Sequence, residues 1–157
     1  MSESESKSRA RVPQVISIDA GVAIKPFGLD MRILLRSEDT GGAFSAILAV
    51  HQPGQGPPHH RHAHQDEYFL VIEGQYSLMI DHGEAQIVGP GTLIYLPRGT
   101  VHSFKNIGAS AARMIDWSIP GGQDRYFQEI SDLQAGAGFD GGRMDEVNSR
   151  HDTEYLK

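Results

Sequence analysis

The chain of 157 residues contains no cysteine. Disulfide staples and thiolate ligands are therefore excluded, and any bound metal must be held through nitrogen and oxygen. Long apolar runs are missing too: none approaches the roughly 20 residues that span a bilayer. The opening MSESESKSRAR lacks the apolar stretch of a secretory signal. The expectation is a cytoplasmic protein with no membrane partner. Basic charge is scarce: Lys and Arg number 14 against 20 Asp and Glu, for a formal net charge of -6. A phosphate-binding surface needs clustered cations to displace counterions, so nucleic acid is not an expected partner. The one short basic cluster, Lys7, Arg9 and Arg11, reads as part of a solvated tail.

What the chain does contain is turn residues, with 18 Gly and 8 Pro among 39% hydrophobic and 22% charged residues. Such punctuation favours short strands over long helices. Residues 1–12 are Ser- and Glu-rich with almost nothing to bury, and read as a disordered tail. From there to residue 120 short apolar runs alternate with turns. The strands expected are Val15–Ile18, Met31–Arg36, Phe44–Val50, Tyr68–Glu73, Tyr76–Asp81, Ala85–Val88, Leu93–Leu96, Val101–Lys105 and Ala111–Ser118. Closely spaced strands without intervening helical patterns imply an antiparallel sandwich or barrel. After Pro120-Gly121-Gly122 the spacing of Phe127, Ile130 and Leu133 predicts one short helix, with Asp124 able to cap its start. Residues 121–157 are expected to pack on the barrel exterior as this helix and a tail, the glycine-rich part of the tail being loose or held by a neighbour.

Four of the eight histidines, His59, His60, His62 and His64, crowd into PGQGPPHHRHAHQDEYFLVIEG. On a strand, residues two apart share a face, so His60, His62 and His64 can point one way and His59 the other. Two imidazoles at i and i+2 can approach one ion, and Asp66 or Glu67 is near enough to add a carboxylate. That donor set suits a borderline divalent metal, with Fe, Mn, Ni, Co and Zn not distinguishable. A second cluster of signals lies in GTLIYLPRGTVHSFKN. An apolar strand ends at Pro97, a Pro-x-Gly turn reverses the chain at Gly99, and His102 opens the next strand.

These two segments resemble the paired motifs of the cupin superfamily. Gly54, His60, His62, Glu67 and Gly74 fill the fixed positions of the first motif, and Gly91, Pro97, Gly99, His102 and Asn106 fill those of the second. The resemblance is to single-domain, quercetin-dioxygenase-like members. It implies an all-β double-stranded β-helix, or jelly roll, that binds one divalent metal ion through His60, His62, Glu67 and His102. His59 and His64 are then rim, supporting or exposed residues. Asn106 is expected to stabilise a turn.

Three imidazoles and a carboxylate leave coordination positions open for a substrate. The resemblance thus implies a metal-dependent oxygenase acting on a small aromatic or enolic compound, with Glu67 as both ligand and general base. The alternatives on the same scaffold are a non-oxidative cyclase, isomerase or decarboxylase, and a small-molecule-binding protein without catalysis. Tyr68, Phe69, Tyr76, Tyr95 and Phe104 are the aromatic candidates for pocket or core, with Phe104 sharing the inward face of His102. A homodimer is expected, with the stretch from Val15 to Leu35 as a strand donor to the second subunit.

Overall fold

A computed structural model describes residues 11–136 and 140–156. Most of the expected tail, residues 1–10, lies outside the described residues, and Arg11 and Val12 are exposed without regular structure. Eleven strands form among the described residues: β1 (Val22–Ile24), β2 (Asp30–Leu35), β3 (Ser45–His51), β4 (His60–Arg61), β5 (Asp66–Glu73), β6 (Tyr76–Ile80), β7 (Gln86–Val88), β8 (Leu93–Leu96), β9 (His102–Asn106), β10 (Ala112–Ile119) and β11 (Glu154–Tyr155). Two helices, α1 (Gln123–Ala135) and α2 (Gly141–Arg150), lie between β10 and β11. No helix among the described residues is long and apolar enough to cross a membrane.

The strands form two antiparallel sheets. One has six strands in the order β1-β2-β3-β10-β5-β8, and the other five in the order β11-β4-β9-β6-β7. Neighbours far apart in sequence pair because the chain crosses repeatedly between sheets, which is the jelly-roll arrangement. Alternation along each strand decides what faces inward. Ile47 and Ala49 on β3, Phe69 and Val71 on β5, and Tyr76, Leu78 and Phe104 on β6 and β9 meet in one buried core.

Turns fix the register where the sequence shows glycine. Gly74 joins β5 to β6 with φ 83°, and a Cβ there would sit 2.5 Å from the Ala112 Cβ. Gly99 has φ 84° and its N–H donates to the His62 carbonyl at 2.7 Å, which ties the Pro97–Gly99 turn to the histidine segment. Asn106 holds its turn as expected: Nδ2 donates to the carbonyls of His51 and Ser110, and Oδ1 accepts from the Gly108 N–H.

Several expectations are corrected. Val15–Ile18 is not a strand, and Val15 is fully exposed, because among the described residues no strand stands beside it to pair with. The stretch expected as a strand donor supplies β1 and β2 to the chain's own sheet, with β2 paired on β3 and β1 at the sheet's edge. Asp124 does not cap α1, whose N-cap is Gly122; the buried Asp124 carboxylate accepts from Ser37 N–H and Oγ–H at 3.0 and 3.2 Å. The C-terminal segment is not loose. Asp140 caps α2 by accepting from the Arg143 N–H, and Tyr126, Ile130 and Val147 form a second small core. β11 then completes the five-stranded sheet beside β4. Tyr68 and Tyr95 are neither pocket nor inner core: they stack at 5.0 Å on the outer face, where Tyr68 also stacks on Trp117 at 5.7 Å.

Candidate metal centre

The sheets bring His60, His62, Glu67 and His102 together. Their ligand atoms all lie within 4.8 Å of one another, and all four residues are buried. β4 pairs with β9 so that His60 faces His102 directly, with ring centroids 4.2 Å apart. His62 follows β4 on the same face, 5.1 Å from the His60 ring. Glu67 enters from β5 in the other sheet, with Oε1 3.1 Å from His102 Nε2 and 3.5 Å from His62 Nε2. Asp66, the alternative carboxylate, points outward and pairs with Arg98. His64 is exposed, and His59 lies against His82 with centroids 4.7 Å apart.

Backbone carbonyls set the tautomer of each imidazole. Nδ1 of His60 lies 2.8 Å from Pro58 O, Nδ1 of His62 lies 3.0 Å from Asp152 O, and Nδ1 of His102 lies 2.9 Å from Thr100 O. A carbonyl can only accept, so Nδ1 carries the proton in every case. In a neutral ring the lone pair then resides on Nε2, and three such lone pairs converge beside one carboxylate. Outer hydrogen bonds of this kind orient imidazoles as metal ligands.

The electrostatics agree with that role. Burial, followed by the neighbouring His102 and His62, lowers His60 to about 3, so it is neutral at physiological pH. Burial also opposes charge on His62, but Glu67 outweighs it and raises the imidazole above its ordinary value. Burial likewise works against Glu67 ionising, yet His62 and His102 hold the carboxyl well below its usual range. Asp116 is driven the other way. Burial, then the Glu67 charge, pushes its carboxyl well above the usual range.

A divalent ion fits this donor set. Ligand atoms about 2.1 Å from a common centre stand about 3 Å apart at right angles and about 4.2 Å apart when opposite, which agrees with the observed clustering. Among the described residues His62 Nε2 is buried without a hydrogen-bond partner, a costly arrangement that a metal would relieve. Nitrogen and oxygen donors without sulfur match a borderline divalent cation.

The cluster is not sealed. His60, His62 and Glu67 line a cavity of about 520 Å³ whose other walls include Met31, Phe69, Phe104, Met114 and Phe127, while His102 stands behind them. Phe104 shares the inward face of β9 with His102, as the sequence indicates. α2 and the C-terminal segment close one side through Met144, Asn148, Thr153 and Tyr155. The Asp152 carboxylate accepts from the N–H groups of Ala63 and His64 at 3.0 and 2.8 Å, and the Tyr155 ring lies 5.5 Å from that of His60. Sequence reasoning missed this contribution, since a two-residue strand carries no periodic signal. It also missed His51, which lines the cavity and holds Tyr76 OH at 2.9 Å from Nδ1. The available signal was its place in phase with inward-facing Ile47 and Ala49.

Comparison with known proteins agrees with the geometry. The Cupin domain family matches residues 47–118, which include all four clustered residues. The chain is 30% identical over 110 residues to polyketide synthase CurC of Streptomyces cyaneus, covering 69% of each protein. This protein belongs to the cupin superfamily. It is also 26% identical over 125 residues to quercetin 2,3-dioxygenase of Bacillus subtilis, covering 80% of this chain but only 36% of that one. The chain therefore spans about a third of the length of that dioxygenase. Among solved structures, KdgF from Halomonas sp. superposes with a TM-score of 0.61 at 18% identity, covering 71% of this cupin and 99% of that chain. At that identity the likeness shows the shared double-stranded β-helix alone.

Proposed function

We propose that this cupin is a metal-dependent oxygenase acting on a small aromatic or enolic compound that chelates the metal. The observation that carries the reading is a buried His60–His62–Glu67–His102 set, three of whose members, His60, His62 and Glu67, line a large, mainly apolar cavity. A closed tetrahedral site would suit a structural ion, whereas a set facing a cavity leaves room for substrate. A divalent ion held there supplies a Lewis-acidic centre that polarises a bound oxygen.

The chain's own residues do the rest. Phe69, Phe104 and Met114 grip an apolar body and exclude water, which strengthens every electrostatic contact inside. Glu67 is kept ionised by His62 and His102, and its carboxylate accepts the proton of an enolic hydroxyl placed against it. The Nδ1 hydrogen bonds hold the three rings still while that proton moves.

A panel of flavonols, diones and catechols tests the proposal. Oxygen uptake that depends on substrate, stops with a chelator and returns with metal supports it. No uptake with any member counts against it. A second reading draws on the likeness to polyketide synthase CurC: a non-oxidative enzyme acting on a polyketide-type carbonyl compound, in which the same cluster polarises a carbonyl or steadies an enolate. Turnover that is indifferent to oxygen and retained on zinc would select it.

A further inference from the structure

We propose that His51, oriented by Tyr76, determines specificity by donating a hydrogen bond from Nε2 to the end of the substrate remote from the metal. The ligand class is then two-headed: a chelating oxygen pair at one end, an apolar body, and a carbonyl or hydroxyl oxygen at the other. The inference rests on the chelating-substrate reading above.

His51 ends β3 on its inward face, is 1% exposed and lines the cavity. Its Nδ1 lies 2.9 Å from the hydroxyl of Tyr76, which is fully buried. Among the described residues that hydroxyl has no other hydrogen-bond partner. Were it to accept from Nδ1–H, its own proton would be buried without an acceptor, at a cost of about 1–3 kcal/mol. Tyr76 O–H therefore donates to Nδ1, and the ring proton resides on Nε2. No protein atom among the described residues accepts from Nε2, yet it is not a sealed buried atom. The cavity is what it faces.

Burial lowers His51 to about 4, so the donor is a neutral imidazole that selects an acceptor rather than an anion. It stands away from the metal centre. Phe104 lies two residues beyond His102, about 7 Å along β9, and the His51 ring packs edge-on to Phe104 at 5.3 Å. Phe104 in turn packs edge-on to Phe69 at 5.2 Å. An apolar body spanning this aromatic wall would reach His51 while its chelating end reaches the cluster.

Two flavonols separate the ends. Both quercetin and 3-hydroxyflavone carry the chelating 3-hydroxy-4-keto pair, but only quercetin bears hydroxyls on its outer rings. Zinc-loaded protein avoids turnover, and Kd is read by fluorescence titration. Wild type should bind quercetin about 10-fold more tightly than 3-hydroxyflavone, the worth of one buried hydrogen bond. His51→Leu should abolish that preference and leave the 3-hydroxyflavone Kd within about twofold. His51→Gln, which keeps a donor, should restore part of it. The double variant His51→Leu/Tyr76→Phe leaves no orphaned phenol, and it should match His51→Leu in selectivity with better folding. Equal loss for both flavonols, or an unchanged preference in the double variant, overturns the inference while sparing the reading beneath it. Failure of both probes to bind zinc-loaded wild type overturns the two together.

Discussion

Ending the chain at Arg150 removes no proposed metal ligand, yet it should weaken metal binding. The truncation deletes the Asp152 carbonyl that accepts from His62 Nδ1 at 3.0 Å. It also deletes the carboxylate that receives the Ala63 and His64 N–H groups, and the strand paired on β4. Without its acceptor, His62 is free to rotate and to adopt the tautomer that protonates Nε2, the atom needed for ligation. Loss of such a supporting contact typically costs 10- to 100-fold in metal affinity, or about 1.4–2.7 kcal/mol. Isothermal titration with zinc reads this directly, with circular dichroism to show that the barrel persists. Asp152→Ala separates the parts, since it keeps the carbonyl and removes only the carboxylate. Its zinc Kd should move by less than about threefold, while stability falls by about 1–2 kcal/mol as two N–H groups lose a charged acceptor. A folded truncated chain with an unchanged zinc Kd would refute the reasoning.

Other outcomes follow from the same geometry. Glu67→Gln removes the only ionised carboxylate in the cluster. Zinc at 100 times its Kd should stabilise wild type by about 2.7 kcal/mol, or about 5–10 °C in Tm, and a variant binding 100-fold more weakly by only about 1 °C. The metal-free protein should also respond to pH through this pair. Glu67 is held low, so its stabilisation is present above the usual carboxylate range and lost as acid protonates it. His62 is held high, so its stabilisation is present below its ordinary value and lost as pH rises through the raised one. Melting curves across pH should therefore flatten in Glu67→Gln, and an unaltered profile would contradict the assignment. Gly56→Ala should lower stability by about 3 kcal/mol, or about 6–12 °C in Tm, because a Cβ there would overlap the Phe104 carbonyl. We also propose a homodimer, joined through the Val15–Leu35 stretch, whose β1 stands at the edge of the six-stranded sheet. Light scattering at a monomer mass would refute that.

The barrel was legible where turn chemistry is strict. Gly74, Gly91 and the Pro97–Gly99 turn punctuate strands whose inward residues alternate cleanly, so most strand boundaries fall within two residues of those expected. The four clustered residues were legible through the resemblance to the two spaced cupin motifs; strand alternation alone put His64 on the same face as His60 and His62 and left the choice open. Val15–Ile18 misled for a physical reason. Four residues rich in branched apolar side chains have strand propensity, but a strand exists only where a partner pairs with it. The C-terminal strap was hidden differently. β11 is two residues long, and its place depends on α2 turning the chain back towards β4. Asp140 ahead of Met144 and Val147 was a readable cap and apolar spacing, outweighed by the nearby glycines. His51 shows the limit of periodicity, which places a side chain inside but does not tell a core histidine from one facing a cavity.

Elemental analysis of metal-loaded protein, before and after substitution, tests the central claim most directly. The wild-type chain should carry one divalent ion. His59→Ala/His64→Ala should keep it, and His60→Ala/His102→Ala should lose it while remaining folded. An ion lost with His59 and His64 but retained without His60 and His102 would place metal on the exposed loop and contradict a buried centre.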